Sequence, residues 1–204
     1  MVRYPLAADG IWWTLQGEGH LSGVPMAFVR LAGCSVGCAG CDTDYRVASR
    51  VEVDDLVERV AAVTPAAARD RWVWITGGEP TDHDLTPLLL ALKRRGHMVA
   101  VATSGERHLT DPVDWVSVSP HRVGRLAQRF GHEIKLVLGG GMTDDVMQMK
   151  ADAERADYWF RYVQPFTRPD GTPHPHSVQW CMDWIARFPN WSLSEQRHRQ
   201  WGVK

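Results

Sequence analysis

The sequence has no excess of charge of either sign: 23 Lys and Arg stand against 24 Asp and Glu, a formal net charge of −1. A strongly basic field that would draw in nucleic acid is therefore missing. No apolar run approaches the ~20 residues that span a bilayer. The first residues, MVRYPLAADGIWW, lack the basic start and apolar middle of a signal peptide. There is no internal repeat, low-complexity tract or linker. Residues 1–204 therefore read as one domain, long enough to build a core. These absences predict a cytoplasmic protein with neither membrane nor nucleic acid among its partners.

Cysteine is scarce as well. A small secreted scaffold would spread paired cysteines along the chain. Here there are 4, and Cys34, Cys38 and Cys41 crowd into the stretch GCSVGCAGCDT (33–43) while Cys181 stands alone. In a cytosolic protein such a cluster means metal binding or redox chemistry. Tryptophan, by contrast, is abundant at 10, and burial in the core is the expectation for it.

What is present is an alternation of strand and helix patterns. PMAFVRL (25–31), WVWIT (72–76), HMVAVAT (97–103), WVSVS (115–119), EIKLVL (133–138) and YWFRYVQ (158–164) read as strands. DDLVERVAAV (54–63) reads as an amphipathic helix. DLTPLLLALKRRG (84–96) is a second, with Leu85, Leu88, Leu89 and Leu92 on one face and Gly96 as its C-cap. TDDVMQMKADAER (143–155) is a third, with Thr143 as N-cap and acids in its first turn. In SVQWCMDWIARF, Val178, Cys181, Met182 and Ile185 follow helical spacing and place Cys181 in the core. Strands alternating with helices imply parallel β/α units. Six strands in roughly 140 residues are too few for a closed eight-stranded barrel. The fold class predicted is α/β, an open or truncated (β/α) barrel of about six parallel strands.

The unusual residues fall where the strands end. Arg30 and Cys34 follow the first, and Thr76, Gly77, Gly78, Glu79 and Pro80 follow the second. Thr103, Ser104 and Gly105 follow the third; Ser119, Pro120 and His121 follow the fourth; Gln164 and Pro165 end the sixth. In β/α barrels the active site lies on that face, so five such ends point to one shared pocket.

The cysteine spacing is C-x3-C-x2-C. A structural zinc site usually takes four protein ligands, which leaves open a distant Cys181 or a His as the fourth. A cubane 4Fe-4S cluster normally takes four thiolates, and with three one iron stays open for an outside ligand. Gly33, Gly37 and Gly40 would let the backbone fold tightly around it.

With GGE-P (77–80) at the next strand end, this pattern resembles the radical S-adenosylmethionine (SAM) superfamily. In that superfamily the open iron chelates SAM, and reductive cleavage yields a 5′-deoxyadenosyl radical. The segments TLQGEGHLSGVPMAFVRLAGC (14–34), CDT (41–43), TGGEPT (76–81), TSG (103–105), SVSP (117–120), QPF (164–166) and LSEQRHR (193–199) recur in order. Together they resemble the 7-carboxy-7-deazaguanine synthase family. Its members convert 6-carboxy-5,6,7,8-tetrahydropterin to 7-carboxy-7-deazaguanine with release of ammonia, in queuosine and 7-deazapurine biosynthesis.

The resemblance implies a 4Fe-4S cluster on Cys34, Cys38 and Cys41, SAM, and a Mg²⁺ ion held in part by Thr43. It implies pterin contacts from Leu15, Gln16, Gly17, Glu18, Arg30, Thr76 and His198, with Arg30 pairing with the substrate carboxylate as a planar, permanently charged fork can. For SAM it implies Ala39, Gly40, Cys41, Gly77, Gly78, Glu79, Ser104, Ser119, Pro120, His121, Gln164, Pro165, Phe166 and Thr167. No protein radical is implied. A flavodoxin-like or other reductant as electron donor and a homodimer are further expectations from the family.

Three positions depart from the family pattern: Gly40 replaces an aromatic, Ala102 an acid and His121 a lysine. Each touches an expected SAM contact, and none removes a cluster ligand. A glycyl-radical-enzyme activase shares C-x3-C-x2-C but has no need of LQGEG or Thr43. A zinc-stapled binding module is the alternative outside enzymes. GGG (139–141) lacks the rest of a phosphate-loop pattern and reads as a turn. Lys135, inside a strand, points either into the barrel or to solvent.

Overall fold

A computed structural model describes residues 2–38, 41, 43–109, 112–139, 145–168 and 172–204. Its frame is a nine-stranded sheet in the order β3-β1-β2-β4-β5-β6-β7-β8-β9. The strands are β1 (Arg3–Leu15), β2 (Pro25–Leu31), β3 (Ser49–Glu52), β4 (Trp72–Gly77), β5 (Met98–Thr103), β6 (Trp115–Val118), β7 (Phe130–Leu138), β8 (Asp157–Pro165) and β9 (Ser192–Leu193). From β2 through β9 every pairing is parallel, and β1 runs antiparallel to both β2 and β3. The six expected strands are thus β2 and β4 to β8, which lie side by side in sequence order. The sheet order runs from β3 to β9 without returning on itself, so the barrel is open.

The helices are α1 (Val53–Val63), α2 (Thr86–Arg94), α3 (Val146–Glu154), α4 (Ser177–Arg187) and α5 (Arg197–Trp201). Leu85, Leu88, Leu89 and Leu92 are all buried, each worth up to about 1.5–3 kcal/mol of transfer free energy. Gly96 sits one residue past the α2 cap Arg95 at φ +76°, donating its N–H to the Lys93 carbonyl. Two expectations need correction. Helix α3 begins at Val146 with Asp145 at its N-cap and has no acid in its first turn; Thr143 lies outside the described residues. In α4, Cys181 is fully buried as expected, but the buried stripe is Ser177, Cys181 and Trp184, while Val178 and Met182 are exposed. No helix among the described residues is long and apolar enough to cross a membrane.

The sheet has two faces with different tasks. Val29, Ile75, Val101, Val116 and Ile134 pack on the helices in the main core. On the other face Phe28, Trp74, Ala100 and Trp115 stand side by side in register. With Met26 and Trp72 they make a second, aromatic cluster that fills the concave side. Five of the 10 tryptophans are buried (Trp72, Trp74, Trp115, Trp184, Trp191). Continuing along this concave face toward the strand ends, polar residues replace the aromatics: Arg30 beside Thr76, then Lys135 and, further along, Gln164. The site is therefore the top layer of the concave face.

Candidate active site

The cysteine loop leaves β2 and is tied to the β4 loop by backbone. The Gly78 N–H donates to the Leu31 carbonyl at 2.9 Å and the Glu79 N–H to the Gly33 carbonyl at 3.0 Å. This stitching is why two glycines stand at the end of β4. A Cβ on Gly77, at φ +135°, would meet the Leu31 oxygen at 2.0 Å, and one on Gly78 the Gly33 oxygen at 1.8 Å. The Gly33 N–H reaches the Tyr45 carbonyl at 2.8 Å, closing the loop on itself. Asp82, in the turn after Glu79, accepts from Ser35 N–H and Ser35 Oγ, both at 2.7 Å.

Cys34, Cys38 and Cys41 are free thiols on the wall of one cavity. Burial pushes the Cys38 thiol up, and the charges of Cys41 and Cys34 push it further. Three thiols that repel one another as anions are a donor set that a cationic iron–sulfur core fits. Among the described residues no three His, Cys, Asp or Glu form a closed metal-holding group. Cys181, on the buried face of α4, is not on this wall.

Glu79 is buried, and its carboxylate takes four donors from the protein. Thr81 N–H (3.0 Å), Thr81 Oγ1 (2.7 Å) and Thr103 Oγ1 (2.6 Å) bind Oε1, and Ser104 N–H (2.7 Å) binds Oε2. The side chain thus clamps the ends of β4 and β5 together and leaves the backbone of Gly77 and Gly78 facing the cavity.

Opposite the cysteines lies the loop between β1 and β2. The Gln16 side-chain oxygen accepts from Gly17 and Glu18 N–H, at 2.8 and 3.1 Å, and so shapes its own turn. Glu18 pairs with Lys135 of β7 and accepts from Gln196 Nε2 at 2.8 Å. Burial alone would raise its carboxyl. The Lys135 charge and hydrogen bond, helped by Gln196 and His198, instead hold it at about 2. His20 N–H donates to the buried Glu133 at 2.8 Å, and Gly19 N–H to Ser194 Oγ at 3.0 Å; Ser194 Oγ in turn donates to Gln164. A Cβ on Gly17 would collide with His198 at 2.3 Å, so glycine there admits the segment carrying α5, whose Arg197 N–H bonds the Gly17 carbonyl at 2.9 Å.

The cavity between these walls has a volume of about 360 Å³. All seven expected pterin contacts (Leu15, Gln16, Gly17, Glu18, Arg30, Thr76 and His198) line it. So do Thr43, Cys34, Cys38, Cys41, Gly77, Gly78, Glu79, Ser104, Ser119, His121, Gln164, Pro165, Phe166 and Thr167. Pro120 is not on the lining, and Ala39 and Gly40 lie outside the described residues. Arg30 has its guanidinium over Trp12, 5.0 Å from the ring centroid, and Nε 3.4 Å from Asp9.

Several lining residues were not singled out from sequence: Trp12, Phe28, Trp74, Gln196 and Lys204. For Phe28 and Trp74 the signal was strand alternation with Arg30 and Thr76, two residues on. Lys135 points into the barrel, not to solvent.

No profile of a described protein family matches the chain. Individual proteins do. The 7-carboxy-7-deazaguanine synthase of Burkholderia multivorans is 33% identical over 210 residues, covering 95% of this chain and 96% of the relative. That of Escherichia coli K12 is 36% identical over 239 residues, covering 97% and 98%. Among solved structures, QueE from Escherichia coli superposes with a TM-score of 0.74 at 28% identity, over 95% of this chain and 94% of that one. Identity at this level across both full lengths, together with the shared fold, settles the relationship: the chain belongs to the 7-carboxy-7-deazaguanine synthase family of the radical SAM superfamily.

Proposed function

We propose that this protein converts 6-carboxy-5,6,7,8-tetrahydropterin to 7-carboxy-7-deazaguanine with release of ammonia, in the route to 7-deazapurines such as queuosine. The observation that carries the reading is the meeting of three elements on one cavity: the three free thiols, the Arg30–Thr76 pair, and the loop from Leu15 to Gly19. Cys34, Cys38 and Cys41 would hold a 4Fe-4S cluster, and Thr43 Oγ1 would be an oxygen ligand to Mg²⁺, a cation that takes oxygen donors. When bound, the cluster and SAM supply the one-electron chemistry that abstracts hydrogen from the substrate.

The chain's own residues bind, orient and exclude water. Arg30, already held by Asp9 and Trp12, presents a fork suited to the substrate carboxylate. Glu18 stays ionised at neutral pH and, locked to Lys135, fixes the loop that carries Leu15, Gln16 and Gly17 against the pterin. His198 closes the cavity from the segment docked on Gly17. Gly77 and Gly78, held by the Glu79 clamp, offer backbone to the SAM amine, and residues 164–167 with Ser119 and His121 offer the remaining SAM wall. Residues 1–204 act as one unit, in the cytoplasm, as a homodimer reduced by a flavodoxin-like or other donor.

The test is anaerobic turnover. Cluster-reconstituted, reduced protein given SAM, Mg²⁺ and the carboxypterin is expected to form 7-carboxy-7-deazaguanine. Absence of that product sinks the reading. Metal analysis of anaerobically isolated protein is expected to give iron; about one zinc per chain without iron would point to a stapled binding module instead.

A further inference from the structure

Cys34 is bracketed on both sides by the segment that follows β4. Before it, the Ala32 carbonyl accepts from His83 Nε2 and the Gly33 carbonyl from the Glu79 N–H, both at 3.0 Å. After it, Ser35 gives its N–H and its Oγ–H to the Asp82 carboxylate, each at 2.7 Å. That N–H belongs to the peptide joining Ser35 to Cys34, so Asp82 holds a negative charge one peptide away from the cysteine. Asp82 is itself fixed from a third strand end. Arg107, beyond β5, stands 2.8 Å from Asp82 Oδ1 and donates to the Thr81 carbonyl at 3.2 Å. The acid side chain is 16% exposed and the arginine 52%.

These contacts do two things at the loop. They place an anion beside the cysteines, and they occupy a backbone N–H that would otherwise be free to turn toward a sulfur. Both matter to an iron–sulfur centre, whose reduction potential follows net charge, hydrogen bonds to sulfur and solvent exposure. A nearby carboxylate disfavours the reduced, more negative form, and so does withholding a donor from the sulfurs. Arg107 opposes the first effect from the solvent side, where its charge is more screened. Arg122, whose charge interacts with Cys38 and Cys34, is already paired with Glu106.

We propose that Asp82 is a positioning residue that acts through Ser35 to hold the reduction potential of the cluster low, and that Arg107 limits the effect. This rests on the reading above that Cys34, Cys38 and Cys41 hold a 4Fe-4S cluster. A lower potential makes a stronger one-electron donor, which the reductive cleavage of SAM demands.

The experiment is an anaerobic redox titration of the reconstituted protein without SAM or substrate. It is read by the electron paramagnetic resonance signal of the reduced cluster, with iron per chain measured alongside. Asp82→Asn keeps an oxygen for Ser35 and loses the charge. It is expected to raise the potential, so that the reduced-to-oxidised ratio at a fixed applied potential grows about threefold, roughly 30 mV for one electron. Arg107→Met is expected to shift the potential the other way. Opposite shifts at equal iron content are a result that loop anchoring alone does not produce. Equal potentials in wild type and both variants, or shifts of the same sign in both, overturn the proposal. If Asp82→Asn takes up no iron, Arg107→Met decides, and a potential at or above wild type overturns it. If wild type itself takes up no iron, the functional reading fails and carries this one with it.

Discussion

Gly78 lies directly against the carbonyl of Gly33: a Cβ there would stand 1.8 Å from that oxygen and 3.0 Å from the Cys34 Cβ. The obstacle is backbone, which cannot swing aside as a side chain can. Gly78→Ala must therefore part the two loops and break the Gly78–Leu31 and Glu79–Gly33 hydrogen bonds. A destabilisation of about 2–4 kcal/mol in chemical denaturation is expected, with iron uptake on anaerobic reconstitution largely lost. Full iron content at an unchanged midpoint would show that the loops have room to spare.

Glu79→Gln tests the clamp. The amide keeps one acceptor oxygen and turns an NH₂ toward groups that themselves donate. A loss of about 1–3 kcal/mol is expected. Iron content should hold while SAM affinity, read by equilibrium dialysis, falls. Unaltered stability would mean that the four donors find other partners.

Glu18 makes acid stability a readout of the loop. Its folded carboxyl is held at about 2 against an ordinary 4.5. A depressed folded value contributes stability in full above the unfolded value, and loses it as pH falls from about 4.5 toward 2. The shift corresponds to at most about 3 kcal/mol, less because the side chain is 19% exposed and partly screened. Glu18→Gln removes the negative charge that faces Lys135 in this pair. The variant should be less stable than wild type at neutral pH, with the gap closing across that acid window in urea titrations. A gap independent of pH would remove the ion pair from the account.

Thr43→Ala separates metal from cluster. Turnover should lose most of its response to added Mg²⁺ while the visible absorbance of the reconstituted cluster stays at wild-type level. An unchanged Mg²⁺ response would take Thr43 out of the site.

Six of the seven parallel strands, β2 and β4 to β8, were legible because each is regular, and because the residues that end them are turn formers with polar neighbours. Strand β1 was not. Its pairing with β2 slips between Leu6 and Ile11, with Gly10 at φ +51°, so its alternation changes phase midway and hides its period. That irregularity lies beside Asp9, which pairs with Arg30. Helix α4 showed its period, but its buried face was displaced from the apolar one: Val178 and Met182 are exposed while Ser177 is buried, since burial follows packing on β8 and not hydrophobicity alone.

By itself, then, the order of residues determined the β/α alternation, the cysteine spacing and the placing of reactive residues at strand ends, all of them local in the chain. Which of those residues face one another was decided only by the tertiary structure. Glu18 meets Lys135 across 117 positions, Gly17 makes room for His198, and Lys204 arrives over Trp12. Such pairs follow from the register of a twisted sheet and the docking of a late helix, and no local pattern carries that information.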